Sequence, residues 1–153
     1  MSSAPHRRRK PLIFVDSNII LCGMLRSNTP PSALLSLACL KQAPYRLALA
    51  DFVRQEIENN LEQFGLVDAF KQTIRILKPQ LIRLPTEDEV NAIKGWIRHQ
   101  HDEPVLASAL IEPRPDIIVS DNSKDFTAQL SRRIGIPIMT AVKFMGQLEL
   151  KLS

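Results

Sequence analysis

At 153 residues the chain is long enough to bury one substantial core and short for two, and 44% hydrophobic with 24% charged residues is a globular composition, neither disordered nor membrane-like. No apolar run reaches the ~18 residues of a membrane helix, and the basic start His6-Arg7-Arg8-Arg9-Lys10 leads into an apolar run too short and too acid-terminated for a signal peptide, so a cytoplasmic protein without membrane attachment is expected. The net charge of +4, with four of the twenty basic residues in that one run, hints at a polyanionic partner.

Residues 1–10 read as a disordered basic tail and residues 11–153 as a single domain. The first element is Leu12 to Val15, an apolar run closed by Asp16 and Asn18, which reads as a strand buried on both faces. A helix from Ser17 to Leu25 follows, capped by Asp16 or Ser17, and Asn28-Thr29-Pro30-Pro31-Ser32 breaks it. Ala33 to Leu40 predicts a second helix and Arg46 to Ala50 a second strand. Asp51 is placed to cap the next helix, whose Val53, Ile57, Leu61 and Phe64 recur at spacings of four and three before Gly65. Another helix spans Leu66 to Leu77, and Leu81 to Leu84 is briefly extended.

Thr86 and Glu89 form a capping-box pattern ahead of Val90, Ile93, Trp96 and Ile97, which predicts a helix running through Gly95. Asp102-Glu103-Pro104 opens a helix over Val105 to Ile111. Asp116 to Ser120 is a second buried strand, followed by a helix from Lys124 to Ile134, a strand from Pro137 to Thr140 and a helix from Val142 to Leu150. Strands alternating with helices and no hairpin signals predict a three-layer α/β/α sandwich with a mainly parallel central sheet. Cys22 and Cys39, in segments read as helical, have no second pair to complete a zinc or disulfide framework and are expected to be small core residues.

Four acids fall on the carboxyl side of a strand or near a helix start. These are Asp16, Glu56, Asp102 and Asp125. In a parallel sheet such positions share one edge, where ligands bind. Carboxylates gathered there repel and raise one another's pKa unless a divalent cation neutralises them, and oxygen ligands suit Mg²⁺ or Mn²⁺ better than zinc. Taken singly, Asp16 also reads as a cap and Asp102 and Asp125 as partners of helix dipoles, whereas Glu56, beside an apolar face, needs a partner.

Two other arrangements compete. His99, His101 and Asp102 resemble half of a zinc-hydrolase ligand set, but His6 is the only other histidine. Asp16-Ser17-Asn18 resembles an aspartyl phosphotransferase motif, with Asn18 where the second aspartate would stand. No Gly-rich phosphate loop or nucleophile elbow occurs.

IFVDSN at the first strand, QEI carrying Glu56, D-x-P-x-L-A-x-A from Asp102 to Ala109 and IIVSDNSKDF from Ile117 to Phe126 together resemble the PIN-domain family, most of all the VapC-type toxin ribonucleases. No one of these anchors is specific; four in register are. The resemblance implies Mg²⁺- or Mn²⁺-dependent cleavage of RNA, with Asp16, Asp102 and Asp125 holding the ion and Glu56 ligating it or orienting the attacking water. It makes Asn18, Ser120 and Asn122 supporting residues and ranks Asp121 below Asp125 as a ligand. Ser17 stands where threonine is more usual. Lys124, Arg132, Arg133 and the basic tail are candidates for the RNA backbone. The family also implies a homodimer and a small antitoxin partner. A non-catalytic PIN-like module that binds RNA or protein is the alternative, against which the presence of all four acids counts.

Overall fold

The computed structural model describes residues 9–152, the side chains of 151 and 152 excepted, so most of the basic tail lies outside the described residues. Five strands pair in parallel: β1 (Leu12–Val15), β2 (Arg46–Ala50), β3 (Gln80–Ile82), β4 (Ile117–Val119) and β5 (Ile138–Met139), in the order β3-β2-β1-β4-β5. β1 lies at the centre, with Phe14 opposite Ala48 on one side and Ile118 on the other. All four of its side chains are buried, as an apolar run covered on both faces requires.

The chain winds outward from β1 to β3, then crosses back to β4 on the other side of β1. Right-handed crossovers therefore place the helices on opposite faces. α1 (Ser17–Leu25), α2 (Pro30–Ala38), α3 (Val53–Glu62) and α4 (Val67–Leu77) form one layer, which α8 (Ala141–Leu152) joins against α2. α5 (Glu87–Ala92), α6 (Glu103–Ala109) and α7 (Ala128–Ile134) form the other. The expected three-layer α/β architecture is thus present. Among the described residues, no helix is long and apolar enough to cross a membrane.

Several boundaries differ from the expected ones. α2 begins at Pro30 rather than after the two prolines, because Thr29 accepts a hydrogen bond from Ser32 N at 3.3 Å and proline in a first turn forfeits no helical hydrogen bond. α3 has Phe52 at its cap position without a side-chain bond; Asp51 pairs with Arg54 instead, at 2.6 Å. α5 stops at Ala92, since Gly95 adopts φ +82°, and Ile93 and Ile97 reach the core from turns. Cys22 and Cys39 are half-buried thiols rather than core residues.

The expected helix from Lys124 begins only at Ala128. Thr127 caps it by accepting from Leu130 N at 3.1 Å, so residues 121–127 form a turn and Asp125 stands in that turn, not in a helix. Thr127→Ala is expected to cost about 1 kcal/mol, seen as a lower urea midpoint at unchanged slope. An unaltered midpoint would show that the cap holds nothing.

Candidate metal centre

The sheet changes winding direction between β1 and β4, and the crevice beyond the carboxyl ends of these strands is where an open α/β sheet takes its ligands. Asp16 and Ser120 immediately follow the two strands. Asp16 N donates to Val119 O at 3.1 Å, so the pairing of the two strands extends up to the acid. Its carboxylate caps α1 by accepting from Ser17 N at 2.8 Å through Oδ1, while Oδ2 accepts from Ser120 Oγ at 2.8 Å and Asn18 Nδ2 at 3.3 Å. Burial pushes the Asp16 carboxyl above its ordinary value against the hydrogen bonds from Ser120 and Ser17, and the nearby charges of Glu56 and Asp121 push the same way.

The network continues along the turn after β4. Asn122 N donates to Ser120 Oγ at 3.1 Å, and Asn122 Nδ2 donates to Asp125 Oδ2 at 2.8 Å. His99 Nδ1 lies 2.7 Å from the same Oδ2. A carboxylate can only accept, so this nitrogen carries the hydrogen and donates it. Asp125 is 3% exposed, and its other oxygen, Oδ1, is buried with no hydrogen-bond partner. Burial opposes ionisation of Asp125, but His99, then Asn122 and the neighbouring Asp102 together hold its carboxyl below the ordinary range.

Asp102 ends a 3-10 turn (Gln100–Asp102) and enters α6 without capping it. Ligand atoms of His99, Asp102 and Asp125 all lie within 4.8 Å of one another. Burial raises the Asp102 carboxyl, and its closeness to Asp125 and the charge of Asp16 raise it further against the lowering effect of His101. Two of the four expected acids therefore stand side by side, and Asp16 joins them through Ser120 and Asn122.

The remaining expected residues are less engaged. Glu56 is exposed in the first turn of α3 and acts on Asp16 through its charge. Asp121 is exposed, and its Oδ1 accepts from Ala141 N at 3.0 Å at the start of α8, which gives it a capping task of its own. Lys124 is exposed in the same turn as Asp125. The Arg133 guanidinium lies 4.1 Å from the centre of the Trp96 ring and so ties α7 to the segment after α5. Arg9 lines a cavity of about 550 Å³ with Pro11, Tyr45 and Asp116, by the amino ends of β1, β2 and β4, so the described end of the basic tail stands at the edge opposite the acids.

No protein-family model matches this chain, and no curated protein matches it. Among solved structures it is similar to a chain of VapBC2 from Rickettsia felis, a complex bound to a DNA fragment from its promoter. The TM-score is 0.52, the identity 15%, and the match covers 84% of this chain and 98% of that one. The likeness is one of fold.

The residues fit a divalent cation. A buried carboxylate oxygen without a partner is costly, by about 1–3 kcal/mol or more when charged, and a cation satisfies it directly. Two carboxylates suit a hard ion such as Mg²⁺ or Mn²⁺.

His99 was not among the expected site residues. The HQHD stretch carried the signal, but the partner of His99 is an aspartate 26 residues on rather than a second histidine. Glu103 was also missed: it is 4% exposed, and its Oε2 accepts from Gly95 N at 2.8 Å.

Proposed function

We propose that residues 11–153 act as one PIN-domain unit of the VapC kind, a metal-dependent endoribonuclease that hydrolyses RNA phosphodiester bonds. The observation that carries this reading is the partnerless, buried Asp125 Oδ1 beside the raised carboxyl of Asp102, at the crevice where the sheet reverses its winding. The fold similarity to a VapBC2 chain supports it.

Asp16, Asp102 and Asp125 would hold Mg²⁺ or Mn²⁺. A bound ion of this kind supplies a hydroxide nucleophile at neutral pH and stabilises the leaving oxygen. Asp16 is fixed by Ser17, Asn18 and Ser120, so the ligand cage keeps its geometry while substrate exchanges. Glu56, exposed and within electrostatic range of Asp16, would orient the attacking water and receive its proton. Asn122 keeps the turn that carries Asp125 in place, and Lys124 on that turn would neutralise a phosphate of the RNA. Asp121 remains the second choice as a ligand. In this reading the protein works in the cytoplasm, as a homodimer, and a small antitoxin protein restrains it.

Purified protein given single-stranded RNA and Mn²⁺ is expected to cut it, to stop on addition of EDTA, and to slow as salt rises. Asp16→Asn should reduce cleavage by about 100-fold. Undiminished cleavage by this variant would overturn the assignment. RNA binding without cleavage, together with a melting temperature that Mn²⁺ does not move, would instead identify a PIN-like binding module.

A further inference from the structure

We propose that His99 is a positioning residue of the metal centre, which fixes Asp125 so that Oδ1 is kept as the oxygen for the ion. The inference rests on reading the acids as a metal centre. It adds a residue that the family resemblance leaves without a role.

The argument starts from the lone pairs. A carboxylate offers about four acceptor sites over two oxygens, and in a buried setting the donors would ordinarily divide between them. At Asp125 both donors fall on Oδ2: His99 Nδ1 at 2.7 Å and Asn122 Nδ2 at 2.8 Å. They come from different segments, one leading into α6 and the other following β4. The side chain of Asp125 is 1% exposed, so bulk solvent does not reach Oδ1. Two donors converging from separate segments impose an orientation, and that orientation leaves one lone-pair-bearing oxygen for a cation.

The His99 side chain is 48% exposed and its ring lies 5.5 Å from that of His101, so it is no part of the core. Its segment is nevertheless held firmly. Asp102 N donates to His99 O at 3.0 Å, Gly95 N donates to buried Glu103, and Trp96 lies under Arg133. A single segment therefore delivers both Asp102 and the group that orients Asp125. Removing the His99 ring should loosen Asp125 without opening the core.

The test is Mn²⁺ binding, without RNA, by the wild-type protein and by His99→Ala, His99→Asn, His99→Gln and Asp102→Asn. Calorimetric titration and the Mn²⁺-induced rise in melting temperature give independent readouts. Asparagine places its Nδ2 close to where Nδ1 of the imidazole stands, whereas glutamine mimics Nε2. His99→Ala is expected to weaken Mn²⁺ binding by about 10- to 100-fold, and to lower the melting temperature in the absence of metal because buried Asp125 loses a donor. His99→Asn should restore binding to within a few-fold of wild type, and His99→Gln should not.

Wild-type affinity in His99→Ala would overturn the proposal, as would rescue by glutamine and not asparagine, which would make His99 a ligand through Nε2. If the wild type and Asp102→Asn both ignore Mn²⁺, the metal reading itself fails, and His99 loses its role with it. If the wild type binds and Asp102→Asn does not, the metal reading stands whatever the His99 variants do.

Discussion

Asp102→Asn is expected to abolish metal-dependent cleavage, by at least about 100-fold, and at the same time to raise the melting temperature of the metal-free protein. Both effects have one cause. Asp102 is partly buried, close to Asp125 and within range of the Asp16 charge, so in the absence of a cation its ionised form is destabilised. Asparagine keeps the shape and removes the charge, which relieves the repulsion but leaves the ion one ligand short.

The pH dependence follows from the sign of the shift. An acid whose carboxyl is raised in the folded state binds its proton more tightly there than in the unfolded chain. Its contribution to stability is therefore present at low pH and is lost as pH rises from the ordinary value of 3.8 through the raised one. Asp16 acts in the same direction. Wild-type protein in EDTA should thus lose melting temperature over that range more steeply than Asp102→Asn, and added Mn²⁺ should restore the wild type alone. Equal pH profiles for the two proteins in EDTA would show that the carboxylates are not strained against one another.

The parts of the fold that were legible in the sequence are those where a single local pattern decides. Leu12 to Val15 is uniformly apolar and forms the buried central strand. The Thr86 and Glu89 pattern is a formed capping box, with Glu89 Oε1 accepting from Thr86 N at 2.8 Å and Thr86 Oγ1 from Glu89 N at 3.2 Å. Gly135, at φ +73°, ends α7 where a stop was expected. Spacing misled where two patterns competed. Ile93, Trp96 and Ile97 keep helical periodicity, yet Gly95 turns the chain out of the helix while both isoleucines still reach the core. At Lys124 to Thr127 the bonds from Asn122 and the cap at Thr127 favour a turn over an earlier helix start.

At the candidate site, the position of Asp16 could be found because the strand that it follows could be found. The contact between His99 and Asp125 could not, since it joins two segments that only the crossover from β3 to β4 brings together. Glu103 was hidden for a different reason. An acid in the first turn of a helix already has an explanation in the helix dipole, so nothing in its position asks for a buried partner.

That partner makes Glu103 the site of the largest expected loss of stability. Its Oε2 accepts from Gly95 N at 2.8 Å, and Gly95 sits at φ +82° in the turn from which the segment bearing Trp96, His99 and Asp102 departs. Glu103→Ala removes a hydrogen bond to a buried charged acceptor and leaves the Gly95 N–H without one, which should cost about 2–3 kcal/mol. The loss is measurable as a lower urea midpoint with an unchanged slope. Glu103→Gln retains a carbonyl oxygen for the same N–H and should cost less than about 1 kcal/mol. The pair of variants separates two roles. If Glu103 anchors the segment, the alanine variant should also weaken Mn²⁺ binding by loosening His99 and Asp102, while the glutamine variant binds as wild type. If glutamine weakens Mn²⁺ as much as alanine does, the charge matters and not the acceptor, and Glu103 belongs among the groups that face the ion.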